Sequence, residues 1–211
     1  MMSTASLFKS LVGFFLSITL VWSQLASAQE PAKAGAEPKA IVEGVAQELF
    51  DLVKAKNASK IPDDQYYKNV EKVLDPVVNF PFIAGSVMGK ATYKQATPTQ
   101  REQFLKVFKD GMVKSLAKGI LGYADSKVVI VGVDTVKADR AVVKQEVTAD
   151  GATHKLDYTM VKAKSGDWKL INVVLNGVNL GQSFSSQFKA GLKKHNNDVD
   201  QVISTWLVDA P

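Results

Sequence analysis

The chain has two histidines, His154 and His195, the residue type most often used to move protons or bind metals. Neither stands at metal-ligand spacing from another His, a Cys or paired acids, so no metal site is predicted. The chain has no cysteine, which removes thiolate nucleophiles, thiolate ligands and disulfides together. Serine catalysis would need a nucleophile elbow, and no Gly-x-Ser-x-Gly is present. Walker and dinucleotide glycine patterns are missing as well. The acids fall at helix starts and exposed strand positions, where Asp and Glu ordinarily sit. No catalytic residue, metal or cofactor is therefore expected, and the chain is read as a non-enzyme. Apolar side chains are in surplus, and what they can do is hide hydrocarbon from water.

Such side chains act together only when an element holds them on one face. Across Lys127–Leu180 the segments Asp139–Thr148, Ala152–Lys164 and Asp167–Asn176 alternate apolar and polar residues, the mark of half-buried strands. Asp150-Gly151 favours the positive-φ conformation of a tight hairpin turn. Folding there sets Ala149 opposite Ala152, Glu146 opposite Lys155, Gln145 opposite Leu156, Lys144 opposite Asp157 and Val143 opposite Tyr158. One face then carries two opposite-charge pairs, each worth roughly 0.2–1 kcal/mol. The other carries Ala141, Val143, Val147, Leu156, Tyr158 and Met160, and a turn at Ser165-Gly166 adds Ile171, Val173 and Leu175. A slip of one residue would turn Lys and Asp inward, so the register is specified. The sequence thus predicts a curved antiparallel sheet with one apolar face that needs a cover.

Helices on both sides of the sheet supply it. Ile41, Val45, Leu49, Leu52 and Val53 recur at helical spacing, and Pro62-Asp63-Asp64 opens a second helix. Asn79 to Lys90 reads as a short bent helix. Thr97-Pro98-Thr99-Gln100 is a capping box with proline in the first turn. It starts a helix to about Gly122 with the stripe Phe104, Phe108, Met112, Leu116 and Ile120. After the sheet come a helix with Phe184, Phe188 and Leu192, and a last one capped by Asn197. Helices first and a sheet later give an α+β single domain, residues 39–211. Periodicity leaves two outcomes open for the apolar surplus, a solid core or a ligand cavity.

The first residues are of another kind. Lys9, an apolar run from Leu11 to Trp22 and Ala26-Ser27-Ala28 form an export signal, residues 1–28, cleaved after Ala28. The run is shorter than the about 20 residues of a membrane span. Residues 29–38, rich in Ala, Pro, Lys and Glu, read as a flexible leader, and the periplasm is the expected compartment. The net charge of +5 is spread along the chain and comes with no nucleic-acid motif, so that class is discounted.

Three motifs in order carry a resemblance. Ala96-Thr97-Pro98-Thr99-Gln100-Arg101 with Phe104 and Phe108, then Trp168-Lys169-Leu170-Ile171-Asn172-Val173, then Asn176-Gly177-Val178-Asn179-Leu180-Gly181 with Phe184, Gln187 and Phe188 resemble the MlaC/toluene-tolerance (Ttg2-type) family of periplasmic phospholipid-binding proteins. Leu116 and Ser185 depart from the Tyr and Arg common in that family, and so weigh against headgroup contacts by those types. The resemblance implies a sheet of about four strands, NTF2-like, covered by N- and C-terminal helices with an apolar cavity between. It implies a monomeric carrier of a diacyl phospholipid. The carrier would move lipid between an outer-membrane lipoprotein–porin complex and the inner-membrane MCE-domain protein of an ABC transporter. Candidate wall residues are Val143, Val147, Leu156, Tyr158, Met160, Val173 and Leu175 on the sheet, with Val178 and Leu180 beyond the last strand. Phe104, Phe108, Met112, Leu116 and Ile120 are expected opposite. The alternatives are a ligand-free periplasmic adaptor and a carrier of a polycyclic lipid such as a hopanoid.

Overall fold

The computed structural model describes residues 37–206 apart from Lys60 and Asp150. The expected signal peptide and leader residues 29–36 lie outside the described residues.

Helix α1 (Pro38–Ser59) buries Ile41, Val42 and Val53 along one stripe. It is followed by α2 (Asp63–Leu74), whose first turn carries Asp63 and Asp64 at the positive end of the helix. Asn79 accepts a hydrogen bond from Phe82 N and caps α3 (Phe80–Met88). Gly89, at φ +78°, breaks the chain into the short α4 (Lys90–Gln95). The capping box then forms at α5 (Pro98–Gly119): Thr97 Oγ1 accepts from Gln100 N at 3.1 Å while Gln100 Oε1 accepts from Thr97 N at 3.0 Å. A 3-10 turn, Leu121–Tyr123, leads into the sheet.

The sheet has the order β1 (Lys127–Lys137), β2 (Arg140–Ala149), β3 (Ala152–Lys162), β4 (Trp168–Leu175) and β5 (Val178–Asn179), all neighbours antiparallel. The β2–β3 register is the one the charge pattern predicts, from Ala149↔Ala152 to Val143↔Tyr158. Lys155 and Glu146 stand 4.0 Å apart, whereas Lys144 swings to Asp134 of β1 at 2.6 Å. Between β3 and β4 a bulge at Thr159/Met160 changes the parity, so Met160 pairs with Leu170. Leu170, in place of the expected Ile171, therefore packs on the Met160 cluster. The short β5 is added by Asn176 and Gly177, both at positive φ (49° and 83°), the turn combination of a two-residue hairpin. Helices α6 (Leu180–Lys194) and α7 (Val199–Ser204) close the chain. The cap of α7 is Asp198, one residue after the expected Asn197, because Asp198 Oδ1 is the atom that accepts from Gln201 N.

The buried side chains form two clusters. The larger is helical and joins α1, α2, α3, α5, α6 and α7 around Phe104, Phe108, Phe188 and Trp206. Its rings meet edge to face, Phe104–Phe188 at 4.9 Å and Phe104–Trp206 at 5.2 Å. Tyr66 of α2 ties into it by donating to the Ala117 carbonyl of α5 at 3.1 Å. In the smaller cluster Ile41 and Val42 of α1, with Val77, lie on Ala141, Val143, Met160 and Trp168 of the sheet. Val45 packs against both.

Candidate functional site

The alternation of β2 places Ala141, Val143, Gln145 and Val147 on one face. Register then adds Met160, Tyr158, Leu156 and His154 from β3, and Leu170, Val173 and Leu175 from β4. Ile130 and Val128 of β1 stand opposite Gln145 and Val147. This inner face is covered unevenly. At the Ala141–Met160 end α1 seals it, and Val143 and Met160 have no exposed surface. Toward the β2–β3 turn, Val147, Leu156, Val173 and Leu175 are half-buried and pack against neither buried cluster.

Tyr158 marks the boundary. It keeps accessible surface, yet burial raises its phenol well above the ordinary pKa of 10.0. Its ring packs on the smaller cluster, at the border between the sealed end of the face and the partly exposed one. The 3-10 turn after α5 is tied to the half-buried end of the same face, since Tyr123 Oη lies 3.4 Å from Nε2 of His154, the partner of Val147. His154 Nδ1 is 3.2 Å from the Asn176 amide, so this histidine joins strands and turn. On the helical side Met112, Leu116 and Ile120 are half-buried at the border of the helical cluster, with Leu49, Leu52 and Phe184. A crevice of about 180 Å³ also opens between α1 (Glu43, Ala46, Gln47, Phe50) and Val128 and Ile130 of β1.

The structure thus sorts the candidate wall residues by position. Val147, Leu156, Val173 and Leu175 share the half-buried end of the inner face, which neither cluster packs against, and Tyr158 stands at its border on the smaller cluster. Val143 and Met160 lie on the same face under α1. Phe104 and Phe108 are sealed among the rings of Phe184, Phe188 and Trp206, within the helical cluster. Val178 is 54% exposed, and Leu180 opens α6 half-buried. Gln145 was not singled out by sequence, because a glutamine in an alternating strand is ordinarily assigned to the solvent side. It is nevertheless 4% exposed on the inner face, and its place opposite Leu156 was the available signal. No group of three or more His, Cys, Asp or Glu able to hold a metal occurs among the described residues.

Fold and site together define a class: an α+β protein whose antiparallel sheet has one apolar face, sealed by α1 at one end and only half-buried at the other. The particular family follows from comparison with known proteins. The family profile described as MlaC protein matches residues 43–207. The toluene tolerance protein ttg2D of Pseudomonas putida is 33% identical over 178 residues, 82% of this chain and 81% of that protein. The intermembrane phospholipid transport system binding protein MlaC of Haemophilus influenzae is 30% identical over 156 residues, 71% of this chain and 72% of its own length. A phospholipid-binding protein from Ralstonia solanacearum, solved in complex with a phospholipid, has the same fold, with a TM-score of 0.72 at 21% identity. That match covers 80% of this chain and 94% of the solved one. The chain belongs to the MlaC family.

Proposed function

We propose that this protein is a periplasmic carrier that holds the acyl chains of a diacyl phospholipid in the recess beside β2, β3 and β4. Exported by a signal at residues 1–28, it works as one lipid-binding domain from residue 39 onward. It shuttles lipid between an outer-membrane lipoprotein–porin complex and an inner-membrane MCE-domain protein of an Mla-type ABC transporter. The observation that carries this reading is the end of the inner face where Val147, Leu156, Val173 and Leu175 stay half-buried beside sealed clusters. The names of the relatives, which include phospholipid transport and phospholipid binding, support it.

The physical task is to take hydrocarbon through water. Each acyl methylene gains about 0.8 kcal/mol on burial, so two long chains do not travel singly through an aqueous space. Half-buried aliphatic walls gain from the same contact, because the lipid removes their remaining exposure. Val147, Leu156, Tyr158, Val173 and Leu175 serve as the sheet wall, and Met112, Leu116 and Ile120 as the helical one. Methionine adapts to chains of differing shape. Val143, Met160, Phe104 and Phe108 back these walls as the rigid floor.

Extraction of the purified protein with organic solvent, followed by mass spectrometry, tests the proposal. About one molar equivalent of phospholipid or more is expected. An extract free of lipid from protein expressed in a Gram-negative periplasm favours an adaptor and removes the carrier.

A further inference from the structure

We propose that the recess contains a polar anchor, Gln145 with Tyr158, that selects lipids carrying a hydroxyl within their apolar portion. The inference rests on the carrier reading and narrows its cargo. Gln145 lies on the inner face between Val143 and Val147 along β2. Ile130 and Leu156 stand opposite it on the two neighbouring strands. Every one of those four neighbours is apolar. The Gln145 Oε1 atom is fully buried without a partner, and the amide makes no hydrogen bond to a described residue. The phenol of Tyr158 has no hydrogen-bond partner among the described residues either. Tyr158 pairs with Val143, two residues from Gln145, so the two polar side chains are diagonal neighbours on one face, within reach of long side chains.

Buried polar groups are ordinarily satisfied, and an unsatisfied one calls for an explanation. Arg101 Nε, Ser126 Oγ and Trp206 Nε1 are buried without a partner as well, but among these four Gln145 is the one on the apolar inner face of the sheet, beside half-buried Leu156 and Val147. The ester carbonyls of a glycerolipid only accept, so they answer the phenol or the amide nitrogen and leave the amide oxygen dry. A hydroxyl both donates and accepts, and it answers the amide whichever end faces it. The uncovered residues Leu156 and Leu175 lie next to this pair, and the α1–β1 crevice reaches Ile130, the partner of Gln145 on its other side. Because Gln145 Oε1 has no accessible surface, a chain laid along the inner face meets the amide only by displacing the side chains that cover it. A hydroxylated acyl chain fits that chemistry, whereas a plain alkyl chain covers the amide without satisfying it.

The test is competitive loading of the purified, delipidated protein from vesicles. They contain phosphatidylethanolamines identical except for one acyl-chain hydroxyl, placed at carbon 2, 3, 9 or 12, mixed equally with the unhydroxylated lipid. Extracted lipid is read by mass spectrometry. At least one hydroxylated species should be enriched about fivefold to tenfold, the worth of one well-made hydrogen bond in a dry site. Gln145→Leu should bring the ratio to one, and Tyr158→Phe should lower it. Wild-type protein that loads lipid without enriching any of the four, or an enrichment that survives Gln145→Leu, overturns the anchor. Wild-type protein that takes up no lipid overturns the carrier reading as well.

Discussion

Replacing Leu156 with alanine separates an open wall from a sealed core. In a close-packed interior, Leu→Ala removes the transfer free energy of the lost atoms and adds a cavity term, about 2–5 kcal/mol in all. At Leu156 neither buried cluster packs against the side chain, so no cavity forms, and its half-burial leaves part of the transfer term. The expected loss in the lipid-free protein is about 1 kcal/mol. Phe104 is the control from the sealed helical cluster. It has no exposed surface and touches the rings of Phe188, Trp206 and Phe108 at 4.9, 5.2 and 5.8 Å. Phe104→Ala should cost about 3–5 kcal/mol. Urea unfolding of the delipidated proteins gives both numbers, provided the m-values agree. Lipid content of the undelipidated proteins should fall for Leu156→Ala although its fold is nearly intact. If Leu156→Ala costs as much as Phe104→Ala, the inner face is solid there and the recess does not exist.

Tyr158→Phe should flatten the alkaline loss of stability. Burial raises the phenol's pKa, with no other cause acting on it, so its contribution is full below the ordinary value of 10.0. That contribution disappears as pH climbs from there through the raised folded value. Above about pH 10 the variant should lose up to about 1.4 kcal/mol less per pH unit than the parent; identical slopes in urea titrations would contradict this. Gly181→Ala should weaken the joint between α6 and β4. Its added Cβ would stand 2.6 Å from Asn172 Oδ1, the atom that accepts from Gly181 N, and a loss of about 1–2 kcal/mol with altered lipid transfer to acceptor vesicles is expected. Gly177→Val places a β-branched residue at φ +83° and should cost about 1–3 kcal/mol; a melting temperature equal to the parent's would mean the turn relaxes. Thr97→Ala should lower stability by about 1 kcal/mol through loss of the α5 cap, seen as a shifted urea midpoint.

Local signals were legible wherever one residue type does one job. Thr97, Pro98 and Gln100 announce α5, and Asp157, Lys144, Glu146 and Lys155 hold the hairpin to one register because the alternative buries charge. The Asn176-Gly177 pair carries the same kind of hairpin signal as Asp150-Gly151, but the strand it adds is two residues long and shows no alternation. The bulge at Thr159/Met160 was hidden for a related reason: Leu170 and Ile171 are both apolar, so either parity looks satisfactory in the sequence. Pairing between layers was the least legible. Periodicity marks Phe104 to Ile120 as a buried stripe without saying what buries it. In the fold the first part of that stripe faces α6 and α7, and α1 is the helix that covers the sealed end of the sheet. Ile41 and Val42 could not be assigned to that role from spacing, since an aliphatic stripe fits any apolar partner.

The division of the core into two clusters explains how an apolar surface can stay uncovered in a folded protein. Leaving aliphatic side chains half-exposed forgoes roughly 1 kcal/mol apiece, so four of them cost a sizeable share of a domain's about 5–15 kcal/mol of net stability. That deficit is tolerable only if folding does not depend on them. Here the aromatic helical cluster and the α1-covered sheet end are each sealed without Val147, Leu156, Val173 or Leu175. The hydrogen-bonded ladders of β2, β3 and β4 then hold those four side chains in place from the backbone, with no packing partner needed. Val45 of α1 is the partly buried side chain that packs on both clusters among the described residues, so α1 braces the helices against the sheet beside the recess. A rigid frame on either side leaves those four side chains partly exposed, and on the proposed carrier reading the free energy withheld there is available for hydrocarbon.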